Sequence, residues 1–190
     1  MLNEKFCGLQ GNHFLLENLN SQRERWNKNM LGNYGGMLIE HTDLFLVYCP
    51  RCNGCARVFT PDNAKGKGEP RYIGHELKRF LCSKCGLTKD IHPKRRWDNS
   101  WAFNHELFNA KHGVDWYFGL PLYLQKECCG HKLWFFNLEH LHRVEDYVQR
   151  RLRPFRPYYL SIESRLPKWI KLSKNRNEIL KTIEKLKCTI

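Results

Sequence analysis

The sequence predicts an α+β fold: two β-hairpins first, then an aromatic-rich β-hairpin, then C-terminal helices. Three patterns carry this prediction. Two C-x2-C pairs among short apolar runs in residues 44–87 predict the first two hairpins. Further β-forming runs on either side of Gly130 predict the third hairpin. Apolar residues that recur at helical spacing after Asn137 predict the helices. With 190 residues, of which 42% are hydrophobic, the chain is long enough to bury a core.

The first pattern predicts a zinc site with four thiolate ligands. Structural zinc takes four soft ligands in a tetrahedron, and a tight C-x2-C turn aims both sulfurs at one ion. Pro50 and Gly86 fit the restricted backbone of such turns. Because four thiolates leave no coordination position for water, we expect this zinc to be structural and assign no catalytic residue to it. The predicted ligands are Cys49, Cys52, Cys82 and Cys85.

Cys55 leaves the choice of the first pair open, because Cys52 and Cys55 are also separated by two residues. We favour Cys49 with Cys52, since Cys-Pro-x-Cys is the usual form of a zinc knuckle. Cys55 is then a thiol that does not bind the metal.

Apolar runs beside the two pairs predict four strands, and two hairpins that share one zinc ion make a zinc ribbon. These runs are 44–48, 56–60, 71–73 and 77–81, with an exposed Pro- and Gly-containing loop at 61–70. We therefore divide the chain into an N-terminal helical segment (1–43), the zinc ribbon (44–90), an aromatic hairpin–helix core (91–160) and basic C-terminal helices (161–190).

Capping patterns predict where two of the later helices begin. Asn137 stands at the N-cap position of a helix whose apolar residues fall on one face. Asn175, followed three residues later by Glu178, resembles a capping box at the start of the last helix.

Positive charge is concentrated at the C-terminal end. Of a net charge of +13, residues 150–190 carry 12 Lys and Arg against three acidic residues. Such a localised field attracts phosphates, so we expect binding to DNA or RNA, with structural zinc holding the scaffold. Tyr158, Tyr159 and Trp169 could stack on bases or belong to the core. The candidate phosphate contacts are Lys94, Arg95, Arg96, Arg150, Arg151, Arg153, Arg156, Arg165, Lys168, Lys171, Lys174 and Arg176.

Two other functions are compatible with the same patterns. The basic helices could dock on an acidic protein, which would make the chain an adaptor in a larger complex. The predicted hairpin and the helix after it are similar to the HNH nuclease unit, because they carry His131, Asn137 and His140. Only two residues separate Asn137 from His140, however, whereas the HNH unit has a longer spacing between its Asn and its final His. We therefore predict a role other than catalysis.

A second metal site at Cys128, Cys129 and His131 is the weaker interpretation of that cluster. Adjacent side chains on an extended strand point to opposite sides, so vicinal cysteines chelate one ion poorly. We expect thiols at a hairpin turn instead.

The N-terminus lacks the apolar core of a signal peptide, and no apolar run approaches the length of a membrane span. With nine cysteines available for metal binding or burial, these features predict a reducing cytoplasm and no membrane partner.

Residues 46–87 resemble the TFIIB-type zinc ribbons of transcription factors and of many small prokaryotic proteins. The second knuckle, Cys82-Ser83-Lys84-Cys85-Gly86, fits that pattern, whereas the first has Asn53-Gly54 where a glycine often follows the cysteine directly. The whole chain is similar to small bacterial zinc-ribbon-containing proteins without an assigned activity. The similar stretches are Leu133–Leu141, Arg165–Trp169 and Lys174–Arg176. The resemblance implies zinc and a bacterial cytosolic setting, and zinc ribbons serve both nucleic-acid binding and protein docking.

Overall fold

An antiparallel sheet of four strands forms the first half of the described chain. The computed structural model describes residues 41–61, 76–92, 113–150 and 161–190, and only the backbone of 94–95 and 101–102. The predicted N-terminal helix, the strand at 71–73 and most of the loop before it lie outside these residues. All described residues belong to one compact unit, Gly35–Ile190.

The strands of this sheet follow each other in chain order, so that each pairs with the next. They are β1 (Leu44–Tyr48), β2 (Cys55–Phe59), β3 (Lys78–Leu81) and β4 (Thr88–Ile91). Alternation places Phe45, Val47, Val58 and Phe80 on one buried face. The β1–β2 and β3–β4 turns each hold one C-x2-C pair. Strand β4 was not predicted, because Thr88–Ile91 forms no apolar run.

Two further hairpins follow. The first is short, with β5 (Lys94–Arg95) paired to β6 (Trp101–Ala102). The second is the predicted hairpin, with β7 (Leu124–Cys128) and β8 (His131–Phe135). Its two turn residues, Cys129 and Gly130, both have positive φ, 53° and 74°, which matches the right-handed twist of the flanking strands.

The C-terminal part is helical, which confirms the predicted α+β class. The helices are α1 (Leu138–Gln149), α2 (Ile162–Arg165), α3 (Lys168–Lys171) and α4 (Arg176–Lys187), with a 3₁₀ turn at Ser173–Asn175. The last helix begins directly after Asn175, as predicted, but the predicted capping box does not form. The Asn175 side chain makes no cap hydrogen bond and instead donates to the carbonyl of Trp169 at 2.8 Å.

Asn137 caps α1 as predicted and also joins α1 to the sheet. Its Oδ1 accepts from the backbone N–H of His140 at 2.9 Å, while its Nδ2 donates to the carbonyls of His41 and Leu44. The residue is 1% exposed, so all three bonds form away from solvent. This one side chain therefore fixes the start of the helix against the start of β1.

Two hydrophobic clusters make up the core. One covers the buried face of the sheet with Tyr117, Leu122 and Phe136, and it includes Cys49 and Cys82. The other lies among α1, α4 and the β7–β8 hairpin. Backbone hydrogen bonds tie β1 to the later chain: Leu46 donates to Phe136 at 2.8 Å and accepts from Tyr123 at 2.8 Å.

Candidate metal centre

The four predicted cysteines meet between the two knuckle turns. The Sγ atoms of Cys49 and Cys85 lie 3.6 Å apart, as do those of Cys52 and Cys82, and no two of the four sulfurs are more than 4.8 Å apart. A zinc–thiolate tetrahedron with bonds of about 2.3 Å has edges of about 3.8 Å. The sulfurs thus already stand close to the corners that a tetrahedral metal requires.

The two turns have the same backbone hydrogen bonds, although they share only the cysteines. In the first, Asn53 N–H donates to the carbonyl of Cys49, and in the second Gly86 N–H donates to that of Cys82, both at 2.9 Å. The amide of Cys49 donates to Gly54, and the amide of Cys82 donates to the matching residue, Leu87. Each hairpin therefore delivers its pair of sulfurs in the same way.

The residue after each second cysteine takes the left-handed backbone conformation. Its φ is 53° at Asn53 and 72° at Gly86. Asparagine enters this region more readily than other residues with a Cβ. Asn53 therefore does in the first knuckle what Gly86 does in the second, and its departure from the usual glycine leaves the turn unchanged.

The electrostatics of the cluster favour loss of a proton at Cys49. Burial raises its pKa, but hydrogen bonds from the backbone amides of Arg51 and Cys52 and from the thiols of Cys82 and Cys85 together lower the pKa of the Cys49 thiol to about 7. A thiolate, not a thiol, is the metal ligand, so backbone donors of this kind prepare a metal site.

Cys55 lies outside the cluster, in agreement with the prediction. It is the first residue of β2 and pairs with Tyr48, and the four-sulfur group does not include it. Burial, with the nearby charge of Cys82, raises the pKa of Cys55 to about 12. It is therefore a protonated thiol, and it packs against the helical cluster.

The Cys128, Cys129 and His131 cluster does not assemble as a site in the described chain. The two sulfurs are 3.7 Å apart at the β7–β8 turn, but the ring of His131 stacks on Trp169, with centroids 4.9 Å apart and planes 18° apart. Among the described residues, the four knuckle cysteines are the group placed to hold a metal ion.

The HNH-like residues have packing and capping roles. His140 is buried against Phe135 and Phe136, accepts from the Phe136 amide at Nδ1, and stacks on His41. Burial lowers the pKa of His140 to about 3, so the ring is neutral. With Asn137 used as the helix cap and His131 stacked on Trp169, the three side chains form no common centre.

The predicted phosphate contacts divide into three groups. Arg165, Lys168 and Lys174 are exposed. Lys171, Arg176 and Arg150 are half-buried. Lys171 donates to the carbonyl of Ser164 at 3.0 Å, and Arg176 donates to the carbonyl of Arg150 at 3.2 Å. Arg96, Arg151, Arg153 and Arg156 lie outside the described residues, and only the backbone of Lys94 and Arg95 is described.

Trp169 belongs to the core, and its ring is not free to stack on a base. It is half-buried, packs against the helical cluster and carries His131 on its ring. Sequence reasoning missed a different aromatic residue, Tyr48, which is 36% exposed beside the first knuckle. The alternation of β1 could have found it, since Tyr48 lies on the face opposite Phe45 and Val47.

Comparisons of this chain with protein-family models, with curated proteins and with solved structures find no match.

None of the helices that the structure describes is long and apolar enough to cross a membrane.

Proposed function

We propose that the chain is a nucleic-acid-binding accessory or regulatory protein whose two knuckle hairpins form a zinc ribbon around one structural Zn²⁺. The donor set supports the metal: four sulfurs on two tight turns suit zinc and leave no open position for substrate or water. The residues that would hold the ion are Cys49, Cys52, Cys82 and Cys85.

The proposed function rests on the excess of positive charge in the C-terminal helices. Residues 161–190 hold eight basic and three acidic residues. Two of the acids are already paired, Glu163 with Arg143 at 3.0 Å and Glu184 with Lys187 at 2.9 Å. Positive charge therefore remains in excess on this surface.

The exposed cations of these helices suit contacts with a phosphate backbone. Within the described residues they have no carboxylate partner, and Lys181 and Lys185 stand one turn apart on the outer side of α4. Like charges held this close favour a polyanion that can neutralise several at once. We name this set the C-terminal lysine surface: Arg165, Lys168, Lys174, Lys181 and Lys185.

Binding of zinc-loaded, full-length protein to labelled duplex and single-stranded oligonucleotides over a range of salt concentrations tests this proposal. We expect the logarithm of the binding constant to fall linearly with the logarithm of salt, with a slope of about −0.9 per duplex phosphate neutralised. Absence of binding to DNA and RNA at low salt would refute the proposal.

A protein-adaptor function is the second candidate, and one observation favours it. Leu172 is 44% exposed between α3 and α4, within the basic surface. An exposed apolar side chain among cations suits an acidic partner with an apolar contact. This function would become the preferred candidate if the salt-dependent assay showed no binding to nucleic acid.

A further inference from the structure

We propose that the knuckle end of the sheet binds single-stranded nucleic acid, with the ring of Tyr48 stacking on one unpaired base and Arg51 and Lys84 contacting the adjacent phosphates. This inference rests on the proposed nucleic-acid function and adds the form of nucleic acid and a contact site distinct from the C-terminal lysine surface.

Tyr48 is exposed and yet held in place. Its ring packs on Tyr123 with centroids 4.8 Å apart, and its backbone N–H donates to the carbonyl of Pro121 at 2.9 Å. Tyr123 is itself anchored through its hydroxyl, which donates to the carbonyl of Thr189 at 3.0 Å. The ring of Tyr48 therefore presents apolar aromatic surface to solvent with little conformational freedom left to lose on binding.

Two exposed cations occupy equivalent places in the two knuckles, at the same end of the sheet as Tyr48. Arg51 precedes Cys52 in the first knuckle and Lys84 precedes Cys85 in the second, and both side chains are exposed. Lys84 reaches across to the first knuckle: a Cβ on Gly54 would lie 2.9 Å from its Cδ. Gly54 adjoins Cys55, the strand partner of Tyr48, so Lys84 lies on the same end of the sheet.

The acids of the sheet are placed away from this end. Asp43 and Glu76 precede β1 and β3 at the opposite end, where their charges act on the buried Lys78. Asp90 on β4 forms an ion pair with Arg79, which donates to both carboxylate oxygens at 2.7 Å. The described sheet is thus polarised, with positive side chains at the knuckles, which complements the charge of a phosphate backbone.

A single strand fits this arrangement better than a duplex. An exposed ring can stack only on a base that is not already stacked on both sides, whereas flanking cations neutralise phosphates of either form. Tetrathiolate zinc also carries a net charge of −2, so a competing role for Arg51 and Lys84 is to balance that charge. Substitution of Arg51 and Lys84 separates these roles.

The test compares binding of a labelled oligothymidylate and of a duplex of equal length by zinc-loaded, full-length variants. Tyr48→Leu keeps apolar bulk against Tyr123 and removes the aromatic ring, while Tyr48→Phe keeps the ring. We expect Tyr48→Leu to weaken single-strand binding about 5- to 100-fold, the effect of losing one stacked base. Tyr48→Phe is expected to stay within about twofold of wild type, and neither change is expected to alter duplex binding.

Tyr48→Phe is the matched control, because it changes the same side chain and keeps the aromatic ring. Equal single-strand binding by Tyr48→Leu and wild type would overturn the inference. So would wild-type binding to the duplex without binding to oligothymidylate, a result that would leave the proposed function standing.

Arg51→Gln with Lys84→Gln tests the cations. If both contact phosphates, the slope of log K against log salt for the single strand falls by about 0.7 for each contact. An unchanged slope together with faster loss of metal to a chelator would assign the two cations to charge balance and overturn their part of the proposal.

Discussion

Replacing Cys49 or Cys82 by serine is expected to abolish stoichiometric metal binding and to unfold the four-stranded sheet. Both residues are fully buried within the cluster that packs on the sheet, so a bound metal and this core would stabilise each other. Structural zinc contributes about 10–16 kcal/mol to folding in zinc-finger peptides, more than the whole stability of most domains. Metal analysis of the purified variants and their thermal unfolding by circular dichroism measure both effects.

Cys55→Ser and Cys128→Ser are the controls for this prediction. Each removes a thiol outside the four-sulfur group, so zinc content is expected to stay at one per chain. Cys52→Ser is expected to lose it. Retention of zinc by Cys49→Ser and its loss from Cys55→Ser would place the first ligand pair at Cys52 and Cys55 instead.

Neutralising the C-terminal lysine surface is expected to have the largest effect on nucleic-acid affinity. Lys168, Lys174, Lys181 and Lys185, changed together to glutamine, are expected to reduce the salt slope by about 0.9 for each lysine that contacts a duplex phosphate. Affinity for unrelated sequences is expected to fall by similar factors, because phosphate contacts carry no sequence information. Thermal unfolding is expected to change little, since exposed charges contribute about 0–1 kcal/mol each.

A double substitution on the β7–β8 hairpin tests whether nucleic-acid binding depends on the C-terminal lysine surface or only on the net charge of the protein. Lys126→Gln with Lys132→Gln removes two exposed charges, as many as Lys181→Gln with Lys185→Gln. We expect the helix pair to weaken binding more than the hairpin pair. Equal losses would contradict a specific role for the C-terminal helices.

Features fixed by neighbours along the chain could be predicted from the sequence. The C-x2-C spacing sets the geometry of each knuckle within a few residues, and the four sulfurs meet as expected. Asn137 caps its helix because the cap bond to His140 spans only three residues. The same reasoning separated Cys55 from the ligands, since the Pro-containing turn belongs to Cys49 and Cys52.

Features set by distant parts of the fold could not be predicted in this way. Asn175 has the local pattern of a cap, but its amide bonds to the carbonyl of Trp169, which the turn after α3 brings near. His140 is buried because Trp134 and Phe136, at the end of β8, and His41, before β1, converge on it from two segments. The ion pair of Arg143 with Glu163 likewise depends on how α1 meets α2.

X-ray absorption at the zinc edge of the protein as purified, with metal content measured on the same sample, tests the central claim most directly. We predict one zinc per chain, bound by four sulfur atoms at about 2.3 Å with no nitrogen or oxygen ligand. A mixed sulfur and nitrogen shell, or protein that folds fully without metal, would contradict a zinc ribbon built on Cys49, Cys52, Cys82 and Cys85.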